Sequence, residues 1–221
     1  MATAARTFGT YVFDAYGTLF DVHAAIARHR AACGPDADRL SELWRTKQLE
    51  YSWTLTLAGR YEDFWTLTER ALDTAIGLVG GVPDGVRPRL LDAYAELAAF
   101  PDVQPTLRAL KDRGETVILF SNATTAMLTQ AVAAGGLTDL VDEIVSVDAI
   151  RCYKPLPAAY ALLDPWRGPE WRLTFHSSNA WDVAGAVARG IDTIWINRRG
   201  APAEYPGLAP QRIVDGLAAI L

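Results

Sequence analysis

Cysteine is scarce. Two thiols, Cys33 and Cys152, in 221 residues cannot make an all-cysteine zinc site, and His23 and His29 match no usual zinc spacing around Cys33. Two reduced thiols in a cytosolic protein fit this usage better than a disulfide framework does. Long apolar runs are missing as well. No stretch approaches the roughly twenty residues of a membrane span, and the opening MATAARTF lacks the apolar core of a secretory leader. A cytoplasmic location with no membrane partner is the expectation. Nor is positive charge in excess. Lys and Arg number 21 against 26 Asp and Glu, a formal charge of −5. That gives no electrostatic reason to expect nucleic acid or an anionic surface as a partner, and any attraction for an anionic ligand must be local. Internal repeats and low-complexity segments are also absent, which excludes a repeat array.

Hydrophobic residues make up 50% of the chain and charged residues 21%, as in a globular protein with a substantial core. The length suits one large domain, or a core carrying a smaller insertion. Thr10 to Phe13 reads as a short buried strand ending on Asp14, with Gly17 as a turn residue. A long helical stretch follows, in which Leu40, Leu43, Trp44 and Tyr51 fall near one face. Tyr61–Ile76 and Asp84–Leu97 read as two further helices separated by Gly77, Gly80, Gly81 and Pro83. After Pro101 the pattern alternates. Helices are expected at Gln104–Arg113, Thr124–Ala134, Pro157–Leu163 and Ala180–Ala188. Strands are expected at Thr116–Phe120, Glu143–Val147, Arg172–Phe175 and Thr193–Ile196. The tail, Ile213–Leu221, reads as a final helix. The alternation predicts an α/β fold, a Rossmann-like doubly wound parallel sheet. Its core would comprise residues 1–21 and 101–221, with 22–100 as an inserted helical cap.

Ligands of open α/β sheets bind beyond the carboxyl ends of the strands. There the first strand delivers Asp14, the second Ser121 and Asn122, and the next region Lys154 after Tyr153. The following strand delivers Ser177, Ser178 and Asn179, with Asp182 opening a helix. Singly, each could be a cap, a turn residue or a surface lysine. Jointly they are four successive deliveries of polar groups to one edge.

The segment from Phe13 to Asp21 (FDAYGTLFD) resembles the first motif of the haloacid dehalogenase superfamily. Ser121-Asn122 resembles the second and Lys154-Pro155 the third. The run from Ser177 to Asp182 (SSNAWD) is similar to the fourth, in the form seen in L-2-haloacid dehalogenases (type II). Leu43 to Tyr51 is similar to the helical cap of that subfamily. Superfamily phosphatases carry a second aspartate two residues after the nucleophile and bind magnesium. Here that position is Tyr16, a phenol with a pKa of about 10, and Asn179 stands where an acid would be expected. Asp182 is left as the fourth motif's one carboxylate, too low a carboxylate density for a hard cation. The resemblance therefore implies a metal-free, cofactor-free hydrolase acting on a small 2-haloacid and releasing halide ion.

It also implies roles. Asp14 would be the covalent nucleophile, kept ionised by Lys154. Arg45 and Asn122 would bind the leaving halide. Ser121, with backbone N–H groups near Ala15 and Tyr16, would hold the substrate carboxylate. Thr18 and Ser177 would orient Asp14, and Tyr160 would orient Lys154 or assist with charge. Asp182 would be the base for hydrolysis, with Asn179 placing the water. Tyr16, Leu49, Phe64 and Trp181 would form an apolar wall. The implied outcome is inversion, from (S)-2-haloacid to (R)-2-hydroxy acid. Related enzymes are often homodimers through the cap, for which Trp44, Trp53 and Trp65 are candidates, although core burial explains them equally.

Two positions depart from the pattern. His176 stands where an apolar strand residue is expected, and either tunes Asp182 or is hydrogen-bonded at the strand end. Thr46 stands beside Arg45 where a larger polar residue is expected, which leaves pocket size and preferred halogen, fluoride included, open. A superfamily phosphatase is the alternative that Tyr16 and Asn179 oppose. A non-catalytic binding protein is the one that the retained Asp14, Lys154 and Asp182 oppose.

Overall fold

The computed structural model describes residues 8–168 and 171–221. Six strands form one parallel sheet: β1 (Phe8–Phe13), β2 (Thr116–Ser121), β3 (Glu143–Ser146), β4 (Trp171–Ser177), β5 (Asp192–Ile196) and β6 (Arg212–Val214). Their order is β3-β2-β1-β4-β5-β6. The chain winds outward from β1 through β2 to β3, then returns to the other side of β1. That reversal makes the β1/β4 edge a topological switch point, where ligands of such sheets bind. β1 is paired on both flanks, Thr10 lying opposite Thr116 and opposite Leu173. Strands buried on both faces read as continuous apolar runs. Accordingly Val12 and Phe13 of β1 and Val117 to Phe120 of β2 are all buried.

Between β1 and β2 lie α1 (Ala24–Arg28), α2 (Arg30–Cys33), α3 (Ala37–Leu57), α4 (Phe64–Leu78), α5 (Val86–Ala95) and α6 (Val103–Asp112). Among the described residues of this stretch, β structure is limited to isolated bridges of Phe20 to Tyr16 and Ala99. The second half adds α7 (Thr125–Ala134), α8 (Pro157–Ala161) and α9 (Ala180–Ala188). Capping sets two of the starts. The Asp63 carboxylate accepts from the N–H groups of Trp65 (3.0 Å) and Thr66 (3.1 Å) at the head of α4. Thr124 does the same for Met127 (3.3 Å) on α7. Each side chain satisfies donors that have no partner inside the helix.

α3 buries Ala37, Leu40, Ser41, Trp44, Gln48 and Ser52, a stripe at helical spacing. Its polar members are paired. Gln48 Nε2 donates to Thr68 Oγ1 (2.9 Å) and Tyr94 OH (3.0 Å), and Trp44 Nε1 donates to the Thr68 carbonyl (2.9 Å). One glutamine thereby ties α3 to both α4 and α5.

The tail corrects the expectation of a final helix. Arg212–Val214 instead extends the sheet beside β5, and a 3₁₀ turn follows at Leu217–Ile220. Asp215 and Gly216 interrupt any helix, and Ile213 is 56% exposed, so this edge strand carries no apolar period to betray it. The turn is pinned by Leu217 N–H, which donates to Asp102 Oδ2 (2.8 Å). For Trp44 the structure decides between its two readings in favour of core burial. It is buried in the chain's own core and offers nothing to a subunit interface. Trp53 is half-buried and meets Trp181 edge-on, with ring centroids 5.4 Å apart.

Replacing Trp44 with Ala removes a buried ring and its hydrogen bond at the α3–α4 contact. We predict a loss of about 3–5 kcal/mol in unfolding free energy, measured by urea denaturation. A loss below about 1 kcal/mol would contradict this packing.

Candidate active site

β1 delivers Asp14 to the switch point, and its backbone N–H still donates to the His176 carbonyl of β4 (2.9 Å). Gly17, with φ of +94°, turns the chain immediately beyond. Three donors converge on the Asp14 carboxylate. Lys154 Nζ reaches Oδ1 (3.0 Å), while Thr18 Oγ1 (2.9 Å) and Asn179 Nδ2 (2.8 Å) reach Oδ2. Asp14 is 4% exposed.

Lys154 comes from the loop after β3 and is fully buried. Its ammonium uses all three protons, donating to Asp14, to Asp182 Oδ2 (2.7 Å) and to the Phe120 carbonyl (3.2 Å). Burial opposes its charge, but the Asp14 and Asp182 carboxylates outweigh that and hold its pKa above the ordinary lysine value. The rings of Phe120 and Phe175 lie 4.6 and 5.3 Å from Nζ. Asp182, from the first turn of α9, is equally buried. Burial pushes its carboxyl up, against the pull of Lys154. Ser177 Oγ (3.1 Å) and Tyr160 OH (2.6 Å) also donate to it. Burial first, then Asp182, lifts the Tyr160 phenol well above its ordinary pKa, so it stays protonated as a donor.

The loops hold these groups in turn. Thr18 Oγ1 accepts from Ser178 N–H (2.8 Å), and Ser177 Oγ accepts from Asn179 N–H (3.1 Å). Asn122 Oδ1 accepts from the Lys154 N–H (2.8 Å). Thr18, Ser177 and Asn179 are thus each fixed by a second bond.

Above Asp14 lies a cavity of about 10 Å³, lined by Asp14, Tyr16, Arg45, Leu49, Phe64, Ser121, Asn122 and Trp181. One side is aromatic and aliphatic. The other carries Arg45, whose guanidinium donates to the Tyr16 carbonyl (3.2 Å), and Asn122, whose buried Nδ2 finds no acceptor among the described residues. Arg45 and Leu49 also line a larger cleft of about 700 Å³, together with His23, Trp195, Arg198 and Arg199. A carboxylate held by fixed donors thus faces a small space, half apolar and half anion-binding. Such a site suits nucleophilic attack on a small anionic molecule.

A family model described as haloacid dehalogenase-like hydrolase matches residues 8–163. The chain belongs to the haloacid dehalogenase-like hydrolase family. Within it, (S)-2-haloacid dehalogenase 1 of Pseudomonas sp. (strain CBS-3) is 50% identical over 203 residues, 91% of this chain and 89% of that one. A dehalogenase crystal structure with an intermediate complex superposes with a TM-score of 0.92 at 41% identity, covering 98% of this chain and 97% of the other. The L-2-haloacid dehalogenase of Xanthobacter autotrophicus, with chloropropionic acid covalently bound, superposes with a TM-score of 0.83 at 33% identity and 96% coverage of each chain.

For this family member, the residues singled out in the sequence converge. Asp14, Thr18, Lys154, Tyr160, Ser177, Asn179 and Asp182 share one hydrogen-bond network, with two corrections: Ser177 donates to Asp182 and not to Asp14, and Tyr160 donates to Asp182 and not toward Lys154. Tyr16, Arg45, Leu49, Phe64, Ser121, Asn122 and Trp181 surround the cavity. Ala15 is buried in the turn between, its carbonyl accepting from Leu19 N–H (2.9 Å). Thr46 is exposed and does not line the cavity. Successive helical residues point about 100° apart, so Arg45 faces inward and Thr46 does not. His176 does not touch Asp182. Side chains alternate along a strand, and Ser177 takes the inward place. The His176 ring instead bonds the Val12 carbonyl through Nδ1 (3.1 Å) and stacks on Phe13 at 4.7 Å. Sequence reading missed Tyr94, which stacks on Tyr16, and Phe120 and Phe175 beside Lys154. None of these lies in a motif, and an apolar pattern marks them only as core.

Burial lowers the His176 pKa from 6.5 to about 4. Between those values the unfolded chain binds a proton that the folded chain does not. The stability is complete above pH 6.5 and is lost as pH falls toward 4, by up to about 3 kcal/mol. Urea denaturation at a series of pH values should show that decline, and His176→Phe should flatten it. An unchanged slope in His176→Phe would contradict this assignment.

Proposed function

We propose that this protein hydrolyses the carbon–halogen bond of short (S)-2-haloacids, giving (R)-2-hydroxy acids and halide through an ester on Asp14. The observation that carries the reading is the Asp14 carboxylate, fixed by Lys154, Thr18 and Asn179, at the edge of a cavity walled by Tyr16, Phe64 and Trp181 and supplied with anion donors by Arg45 and Asn122. The similarity to named (S)-2-haloacid dehalogenases supports it.

In the first step an Asp14 oxygen attacks the halogen-bearing carbon from behind. The C–O bond forms as the C–X bond breaks, and halide leaves with the bonding pair into the space beside Arg45 and Asn122 Nδ2. Ser121 and the backbone beside Ala15 and Tyr16 hold the substrate carboxylate. Backside attack inverts the carbon. In the second step water adds to the ester carbonyl of Asp14 and gives a proton to Asp182, whose carboxyl burial has pushed up toward a useful base. Asn179 places the water. The tetrahedral intermediate expels the hydroxy acid oxygen, which takes up that proton, and the water's second proton, left on the Asp14 carboxyl, is released to solvent, which restores the carboxylate. The stereocentre is untouched in this step, so the net result is inversion. Residues 22–100 serve as a cap that excludes bulk water and strengthens every charge interaction beneath it. The proposal extends to haloacetates, fluoroacetate among them, which carry the same carboxylate and carbon–halogen bond without a 2-substituent. No step calls on a metal ion.

Halide release in the presence of EDTA, read by ion chromatography, tests the proposal. Wild type should release chloride from L-2-chloropropionate and not from the D isomer, and Asp14→Asn should lose at least three orders of magnitude. Chloroacetate and fluoroacetate arms report halogen scope. No halide from any of these substrates, or release that survives Asp14→Asn, would overturn it.

A further inference from the structure

The apolar wall of the cavity does not stand by itself. Tyr16 lines the cavity on one side and lies flat against Tyr94 of α5, with ring centroids 5.5 Å apart and planes 7° from parallel. Tyr94 is 2% exposed and meets Trp44 at 5.0 Å. Its hydroxyl accepts one of the two Gln48 Nε2 protons, and Thr68 Oγ1 accepts the other. Thr68 Oγ1 in turn donates to the Phe64 carbonyl (2.7 Å), one turn earlier on α4. Phe64 is a second wall of the cavity and lies 6.4 Å from Tyr16, centroid to centroid. A fully buried glutamine therefore fixes both walls at once, Phe64 through Thr68 and Tyr16 through Tyr94.

We propose that Tyr94, held by Gln48, is a specificity-determining positioning residue, which sets how far the Tyr16 ring can retreat and so how long a 2-substituent the cavity admits. The inference rests on the dehalogenase reading above. The physical reason is close packing. A stacked ring with another aromatic behind it cannot yield to an added methylene without displacing both. One methylene in a tight apolar pocket changes turnover by about tenfold or more. Tyr94 touches neither the reacting carbon nor Asp14, so its effect should fall on the ratio between substrates rather than on the chemical step.

The test compares kcat/KM for L-2-chloropropionate and L-2-chlorobutyrate, by halide release, in wild type, Tyr94→Leu, Tyr94→Phe and Gln48→Met. Tyr94→Leu opens space behind Tyr16, and its butyrate-to-propionate ratio should rise about tenfold. Tyr94→Phe retains the stack and should lie between that variant and wild type. Gln48→Met loosens both walls and should also raise the ratio. A purely structural role would lower both rates together and leave the ratio alone. If Tyr94→Leu does not fold, the other two variants decide. A ratio within twofold of wild type in every folded variant would overturn the proposal. Absence of turnover in wild type would overturn the dehalogenase reading and this inference with it.

Discussion

One buried ammonium organises the catalytic end of this molecule. Lys154 Nζ lies between the Asp14 and Asp182 carboxylates with no exposed surface. A charge so placed is tolerable only if every partner is present, because a buried ion stripped of its counterion destabilises a protein by about 3–5 kcal/mol. The surrounding structure reads as the means of keeping the three together. β1 and α9 present the carboxylates, the Phe120 carbonyl takes the third proton, and Asn122 holds the Lys154 backbone. Thr18 and Asn179 add further donors to Asp14, and Ser177 and Tyr160 to Asp182. A half-satisfied network of this kind would be worse than an apolar core, so the site and the stability of the sheet end are one problem.

The helices inserted after β1 address a different constraint. A carboxylate attacking carbon must be free of bulk water yet able to part with an anion. α3 places Leu49 and Arg45 on the cavity from one face, and in the proposed reaction they would meet the apolar and the anionic requirement respectively. The same helix buries Trp44 and Gln48 against α4 and α5. Packing within the inserted helices and the shape of the cavity are therefore coupled through residues that never touch the reacting atoms.

Much of this was legible before any coordinates. Strands paired on both sides leave continuous apolar runs, so β1, β2, β4 and β5 could be placed within a few residues, and the polar residues following them could be assigned to one edge. Motif residues were legible jointly and not singly: an aspartate at a strand end, a lysine before a proline, or an Asn and an Asp around a helix start is ordinary alone, and it was their order along the chain that marked one edge as a site. The rest had no local signal. β6 is three residues at an edge with one flank unpaired. Tyr94 is an aromatic in a helix like many others, and only the three-dimensional stack on Tyr16 gives it a part. Of the two readings of His176, tuning Asp182 or being hydrogen-bonded at the strand, the second holds, because strand alternation turned its ring to the opposite face. Thr46 looked like a pocket residue, and the helical angle turned it outward.

The central claim is that Asp14, not water, first bonds to the substrate carbon. A single turnover with enzyme in excess of L-2-chloropropionate, run in oxygen-18 water, tests it directly. Mass spectrometry would then be applied to the released 2-hydroxy acid and to the peptide bearing Asp14. Water adding to the ester carbonyl predicts heavy oxygen in the Asp14 peptide and ordinary oxygen in the product's new hydroxyl. Heavy oxygen in the product hydroxyl, with Asp14 unlabelled, would mean direct attack by water and would contradict the account.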